Sequence, residues 1–87
     1  MAKVVLARSA RTALLALDDR FIDAILDALG ELETDPELGH RLRGRLKGLW
    51  SLRVGAYRII YEVRGRGTLV RVCAIRHRAA AYRSDPL

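Results

Sequence analysis

Leu46-Lys47-Gly48-Leu49-Trp50-Ser51-Leu52-Arg53-Val54-Gly55-Ala56-Tyr57-Arg58-Ile59-Ile60-Tyr61-Glu62-Val63 reads as two strands joined by a two-residue Gly-Ala turn. Such a turn fixes a register: Val54 faces Tyr57, and Arg53 lies directly across from Arg58. Alternation then sends Trp50, Leu52, Val54, Tyr57, Ile59, Tyr61 and Val63 to one face, and Ser51, Arg53, Arg58 and Glu62 to the other. The first face is a core and the second a working surface. Two guanidinium groups opposed on one sheet face repel each other unless an anion lies between them. The pair therefore reads either as a phosphate clamp or as two solvated residues on the open side of an antiparallel sheet.

Charge outside the hairpin weighs toward the clamp. Residues 1–40 carry four cations against eight carboxylates, a net −4, whereas residues 41–87 carry twelve cations against Glu62 and Asp85, a net +10. The overall +6 is thus concentrated in the strand half, a basic sheet beside an acidic helical half, and nucleic acid is the partner such a surface attracts. Eleven of those twelve cations are arginine, whose planar fork grips phosphate bidentately and stacks on bases, where lysine acts as a point charge.

A chain of 87 residues has room for one core, so residues 1–87 are read as a single domain. Cys73 is the only cysteine, which leaves no intramolecular disulfide or cysteine metal cluster, and it sits in the apolar run Leu69–Ile75 as small hydrophobic filler. His40 and His77 are too few and too isolated for a zinc site. No cofactor and no metal are expected. No stretch approaches a membrane span and none resembles a signal peptide, so the expected location is the cytoplasm.

Ahead of the hairpin, Lys3–Arg8 reads as a short strand. Ser9 is a plausible N-cap for a helix through about Leu17, and Asp18 or Asp19 caps a second helix. Phe21, Ile22, Ile25, Leu26, Leu29 and Leu32 form its core stripe, and Asp35-Pro36 ends it. A basic connector, His40 to Lys47, leads into the hairpin, and a third strand spans about Thr68 to Arg76. Arg64-Gly65-Arg66-Gly67 is the second turn. If that hairpin is symmetric about Gly65 and Arg66, Arg58 faces Cys73, Ile60 faces Arg71, and Arg71 joins Arg53 and Arg58 on one face. The order is β-α-α-β-β-β, an α+β fold with two helices on one face of a small, mainly antiparallel sheet.

Leu-Lys-Gly-Leu-Trp at 46–50, Arg-Val-Gly-Ala-Tyr-Arg-Ile-Ile-Tyr at 53–61, and Ile-Arg-His-Arg ahead of Tyr-Arg at 75–83 together resemble the RelE branch of the RelE/ParE toxin superfamily. The resemblance covers the whole chain, although the helical half matches only in pattern. It implies the microbial ribonuclease-like fold and the toxin of a type II toxin–antitoxin system. It also implies a cognate antitoxin, a toxin–antitoxin complex of higher oligomeric order, and cleavage of mRNA in the ribosomal A site.

Metal-independent cleavage sends the ribose 2′-hydroxyl against the adjacent phosphate. One group must take a proton, another must supply one, and cations must stabilise the pentavalent phosphorane. The resemblance places Arg58 and Arg78 at catalytic positions, with Arg53 as cross-strand partner and Tyr82 as the C-terminal tyrosine that stacks on a base or helps move a proton. Well-studied members carry basic residues where this chain has Leu49 and Ser51. That departure leaves three readings: Lys47 stands in from nearby, His77 takes the acid–base role, or activity is weak. Arg41, Arg43, Arg45, Lys47 and Arg71 are candidate RNA contacts. Two other functions share the fold: inhibition of DNA gyrase in the manner of ParE, and a noncatalytic module that binds RNA or antitoxin.

Overall fold

The computed structural model describes residues 1–78. The predicted hairpin is its centre: β3 (Trp50–Val54) and β4 (Tyr57–Arg64) pair antiparallel with Val54 opposite Tyr57 and Arg53 opposite Arg58. Gly55 takes φ 59°, the left-handed value a glycine supplies at the first loop position of such a turn. Around the hairpin lie β1 (Lys3–Leu6), α1 (Arg8–Leu15), α2 (Asp19–Thr34), β2 (His40–Arg41) and β5 (Leu69–His77). The sheet order is β1-β5-β4-β3-β2, parallel between β1 and β5 and antiparallel elsewhere. Five strands replace the expected four. His40 pairs with Ser51 and Arg41 with Trp50, and the Leu42 N–H donates to the Leu49 carbonyl at 2.9 Å, so part of the supposed connector is an edge strand.

Both helices cover one face. Ala10 and Leu14 of α1 and Ile25, Ala28, Leu29 and Leu32 of α2 are buried against Ile59, Tyr61, Val70, Val72 and Ile75. Asp18 caps α2 as expected, accepting from the Arg20 N–H at 3.2 Å. Two details of the helices differ from the sequence reading. Leu26 stays 49% exposed, because the 25-28-29-32 stripe turns it about 100° away from the sheet, and Ala28 fills its place. Ser9 lies inside α1 rather than capping it, and its hydroxyl donates to the Cys73 carbonyl at 3.1 Å, tying the helix to β5.

The second hairpin corrects the symmetric reading. Gly65, Arg66 and Gly67 all have positive φ and form a single 3-10 turn, closed by the Thr68 hydroxyl donating to the Gly65 carbonyl at 2.7 Å. The longer loop places Glu62 opposite Arg71 and Tyr61 opposite Val72. The next pair is Ile60 with Ala74, so Cys73 is the extra residue of a bulge, and Arg58 then faces Arg76. Arg58 does not face Cys73, nor Ile60 Arg71. An extra residue reverses the alternation beyond it, so Ile75 turns into the core and Arg76 outward.

Tyr61 locks the helical layer to the sheet. Its ring is fully buried, its hydroxyl donates to the Pro36 carbonyl at 2.9 Å, and the Gly39 N–H donates to that hydroxyl at 3.0 Å. Burial raises the phenol's pKa above its ordinary value; the Gly39 hydrogen bond opposes this, and the negative charges of Asp35 and Glu37 add to it. A raised folded-state pKa means the neutral phenol's contribution is present below about pH 10 and lost as pH rises further. Tyr61→Phe is expected to cost about 1–2 kcal/mol near neutrality, since it leaves the Gly39 N–H without its partner. The gap between wild type and variant narrows above pH 10, as urea unfolding at a series of pH values will show.

Candidate active site

The strand register arranges the outer face of the sheet, opposite the helices, in three rows. Arg53, Arg58 and Arg76 lie side by side across β3, β4 and β5. The next row is Ser51, Ile60 and Ala74, and beyond it Glu62 faces Arg71. Ile60 is only 6% exposed although it lies outside the helix-packed core, so Ile60 and Ala74 form an apolar strip beside the arginines, with the Ser51 hydroxyl at its β3 end. Directly opposed residues bring their Cβ atoms to roughly 5 Å. Three arginines therefore stand on adjacent strands of one face, with the Arg53 Nε donating to the Gly55 carbonyl at 3.4 Å.

Arg76 is the member that sequence reasoning missed. Uninterrupted alternation sends it into the core, and only the bulge at Cys73 turns it outward. One signal was available: the apolar residues Val70, Val72 and Ile75 break from a spacing of two to a spacing of three, the mark of an extra residue in a strand.

The other sequence-predicted residues scatter. Arg78 follows the end of β5, and its N–H donates to the Ala56 carbonyl at 2.6 Å, which holds it at the hairpin turn, at the Arg53–Arg58 end of the sheet. Tyr82 lies outside the described residues. His77 pairs with Tyr57 on the helix side, its ring edge-on at 5.2 Å, and Tyr57 in turn meets Phe21 at 5.3 Å; the strand faces it away from the arginine row. Lys47, with Arg41 and Arg43, lines a cleft beside Trp50 at the far end of β3, about three residues or 10 Å along the strand from Arg53. Arg45 is exposed in the 3-10 turn Gly44–Leu46. Arg71 reaches the outer face as expected, but Glu62 Oε1 draws both Arg71 Nη1, at 3.6 Å, and Arg64 Nε, at 3.0 Å. Neither ion pair is aligned as a hydrogen bond to Oε1.

Among the described residues this surface is rich in cations and poor in groups that accept protons. Glu62 is the one carboxylate on β3, β4 and β5. It is engaged by Arg64 and Arg71, four residues or about 13 Å along β4 from Arg58. The Cys73 thiol is held protonated, chiefly by burial and further by the Glu62 charge, against the opposing pull of Arg71 and Arg64. Ser51 is buried in the adjoining row. Among the described residues, no group of three or more histidine, cysteine or carboxylate side chains is placed to hold a metal ion, and no helix is long and apolar enough to cross a membrane.

Comparison with known proteins accords with this geometry. Residues 4–82 match the family described as the ParE toxin of type II toxin–antitoxin systems. The chain is 36% identical over 77 residues to the toxin RelG of Mycobacterium tuberculosis, covering 86% of this chain and 88% of that one. It is 33% identical over 85 residues to the toxin RelE of the same organism, covering 95% and 88%. Among solved structures, a chain of the M. tuberculosis toxin–antitoxin complex RelBE2 superposes with a TM-score of 0.81 at 33% identity, covering 88% of this chain and 98% of that one.

Proposed function

The chain belongs to the RelE/ParE superfamily of type II toxin–antitoxin toxins, and from that premise we propose that it is a ribosome-dependent mRNA endonuclease whose outer sheet face carries the chemistry. The observation that carries this reading is the cross-strand row Arg53–Arg58–Arg76. Like charges in register destabilise a sheet, whereas a phosphate lying across them is bound by several donors at once. The 2′-hydroxyl attacks the adjacent phosphorus in line, the P–O5′ bond breaks, and the products are a 2′,3′-cyclic phosphate and a free 5′-hydroxyl. Arg58 and Arg76 stabilise the extra charge of the phosphorane, Arg53 clamps the ground-state phosphate, and Arg78 closes the row at the hairpin end. Tyr82 is assigned to base stacking and proton transfer through the family resemblance.

The dependence on the ribosome has a physical motive. A face rich in charge stabilisation and poor in bases gains most when the RNA is already bent so that its 2′-hydroxyl is in line, since pre-set geometry can supply much of a barrier. An mRNA held in the decoding site is such a substrate, and the toxin would act in the cytoplasm. A cognate antitoxin is the expected protein partner. The exposed edges of β1 and β2 and the basic face suit an extended, acidic segment that folds on binding, and such pairs can assemble into higher oligomers.

The test is to add the protein to ribosomes programmed with a defined mRNA, map the RNA ends by primer extension, and run the same RNA without ribosomes. Cuts confined to A-site codons are the expected result. The family description carries the name of ParE, so a gyrase supercoiling assay belongs beside it. Inhibited supercoiling with uncut mRNA would overturn the nuclease reading.

A further inference from the structure

At the other end of the sheet, and on its other face, Trp50 stands half-buried with its indole ring 6.1 Å from that of Tyr61 and within 18° of parallel. The Arg41 guanidinium lies 5.1 Å from the centre of the indole. Trp50, Arg41 and Val63 form a shared wall between two openings. The larger, about 760 Å³, is lined by Arg43 and Lys47 and contains no carboxylate. The smaller, about 580 Å³, is bordered by Asp35 and Glu37 together with Arg66. Neither opening touches the arginine row, which lies on the opposite face and toward the Gly55 turn.

We infer that this cleft is a second RNA-binding site, in which one unpaired base stacks on the Trp50–Arg41 pair and the adjoining phosphates lie on Arg43 and Lys47. Three features carry the assignment. A guanidinium resting on an indole is a surface for a flat π-system, and base–aromatic stacking of this kind is a main source of single-strand affinity. The cationic lining on one side of the indole attracts phosphates, while Asp35 and Glu37 on the other side repel them, so the phosphates have one favoured side of the ring. The site is also built rather than incidental. The left-handed conformations of Gly44 (φ 64°) and Gly48 (φ 98°) fold the Arg43–Lys47 excursion back so that both side chains reach the wall formed by Trp50. An acidic peptide is the competing occupant by charge, but an aliphatic or carboxylate side chain makes no use of the stacked pair.

The inference rests on the reading of this protein as one that acts on RNA, and not on cleavage. Trp50 is the chain's single tryptophan, so its emission reports on this cleft alone. The probe is a 2′-O-methyl RNA hexamer, which cannot be cut, titrated into the full chain at about 50 mM salt. Quenching of Trp50 is expected, with log K falling against log salt at a slope of about −1.4 for the two phosphate-binding cations Arg43 and Lys47. The pair of substitutions Arg43→Ala and Lys47→Ala is expected to weaken the quenching affinity about tenfold and to bring the slope close to zero. Arg58→Ala with Arg76→Ala is expected to leave the quenching affinity within about twofold, because their side chains lie on the other face.

Binding seen by anisotropy of a labelled hexamer without any change in Trp50 emission would overturn the site. So would quenching abolished by the Arg58 and Arg76 substitutions, or quenching by an Asp/Glu/Leu peptide with the RNA silent. Cleavage in the A site without quenching would remove this cleft and leave the nuclease; quenching without cleavage would do the reverse.

Discussion

Replacement of Arg58 by alanine, and separately of Arg76, is expected to slow A-site cleavage by about 10²–10³-fold each, the usual loss when one preorganised donor to a developing oxyanion is removed. In the proposed mechanism both face the same phosphate from neighbouring strands, so the double variant is expected to fall short of the product of the two single losses. Arg58→Lys keeps the charge and loses the fork, and recovers only part of the rate. Both positions lie on the outer face, away from the helix-packed core. Circular dichroism should therefore be unchanged, Tm should stay within about 5 °C, and copurification with antitoxin should persist. Primer extension on programmed ribosomes measures the rate. Loss of folding or of antitoxin binding in step with loss of cleavage would remove both residues from the chemistry. The prediction for Arg76 is the sharper one, because it depends entirely on the bulge at Cys73.

The second large effect is one of stability. A Cβ built on Gly39 would come within 2.6 Å of the Ser51 carbonyl oxygen and 2.9 Å of the Tyr61 hydroxyl. The first of these is backbone of β3 and cannot rotate aside. The second is the hydroxyl that holds Pro36 and Gly39 together. Gly39→Ala must therefore push β2 off β3, separate the loop from Tyr61, or do both. Overpacking of this kind costs about 2–3 kcal/mol, which in a domain of this size corresponds to roughly 10–20 °C in Tm. Thermal unfolding followed by circular dichroism measures it. Ser51 borders the arginine row and Trp50 adjoins Ser51, so the displaced strand would also disturb both proposed RNA surfaces. A variant as stable as wild type would show that the Gly39–Tyr61 contact has slack the structure does not display.

Much of this architecture is legible in the chain because it is local. The Gly55-Ala56 turn has two residues, and a loop that short leaves one register, so the opposition of Arg53 and Arg58 follows from spacing alone. Asp18 caps α2 and Asp35-Pro36 ends it because both signals act within one turn of helix. The concentration of arginine after residue 40 is likewise a matter of counting. His40–Arg41 was not legible as a strand, since two residues carry no period and form a strand only because Ser51 and Trp50 lie beside them.

What the amino-acid sequence by itself determined is the class of fold, the resemblance to RelE-type toxins, and the Arg53–Arg58 part of the cross-strand arginine row. What only the tertiary structure decided is which residues complete it. Register across the second hairpin depends on a glycine-rich loop whose left-handed turn absorbs four residues, Gly65 to Thr68, rather than two, and on a bulge stabilised where α1 reaches β5 through Ser9 and Cys73. One extra residue exchanges the two faces of everything beyond it. That single step turns Arg76 outward beside Arg58 and turns His77 to the helix side against Tyr57, and so separates the arginine row from the acid–base candidate that lies next to it in the chain.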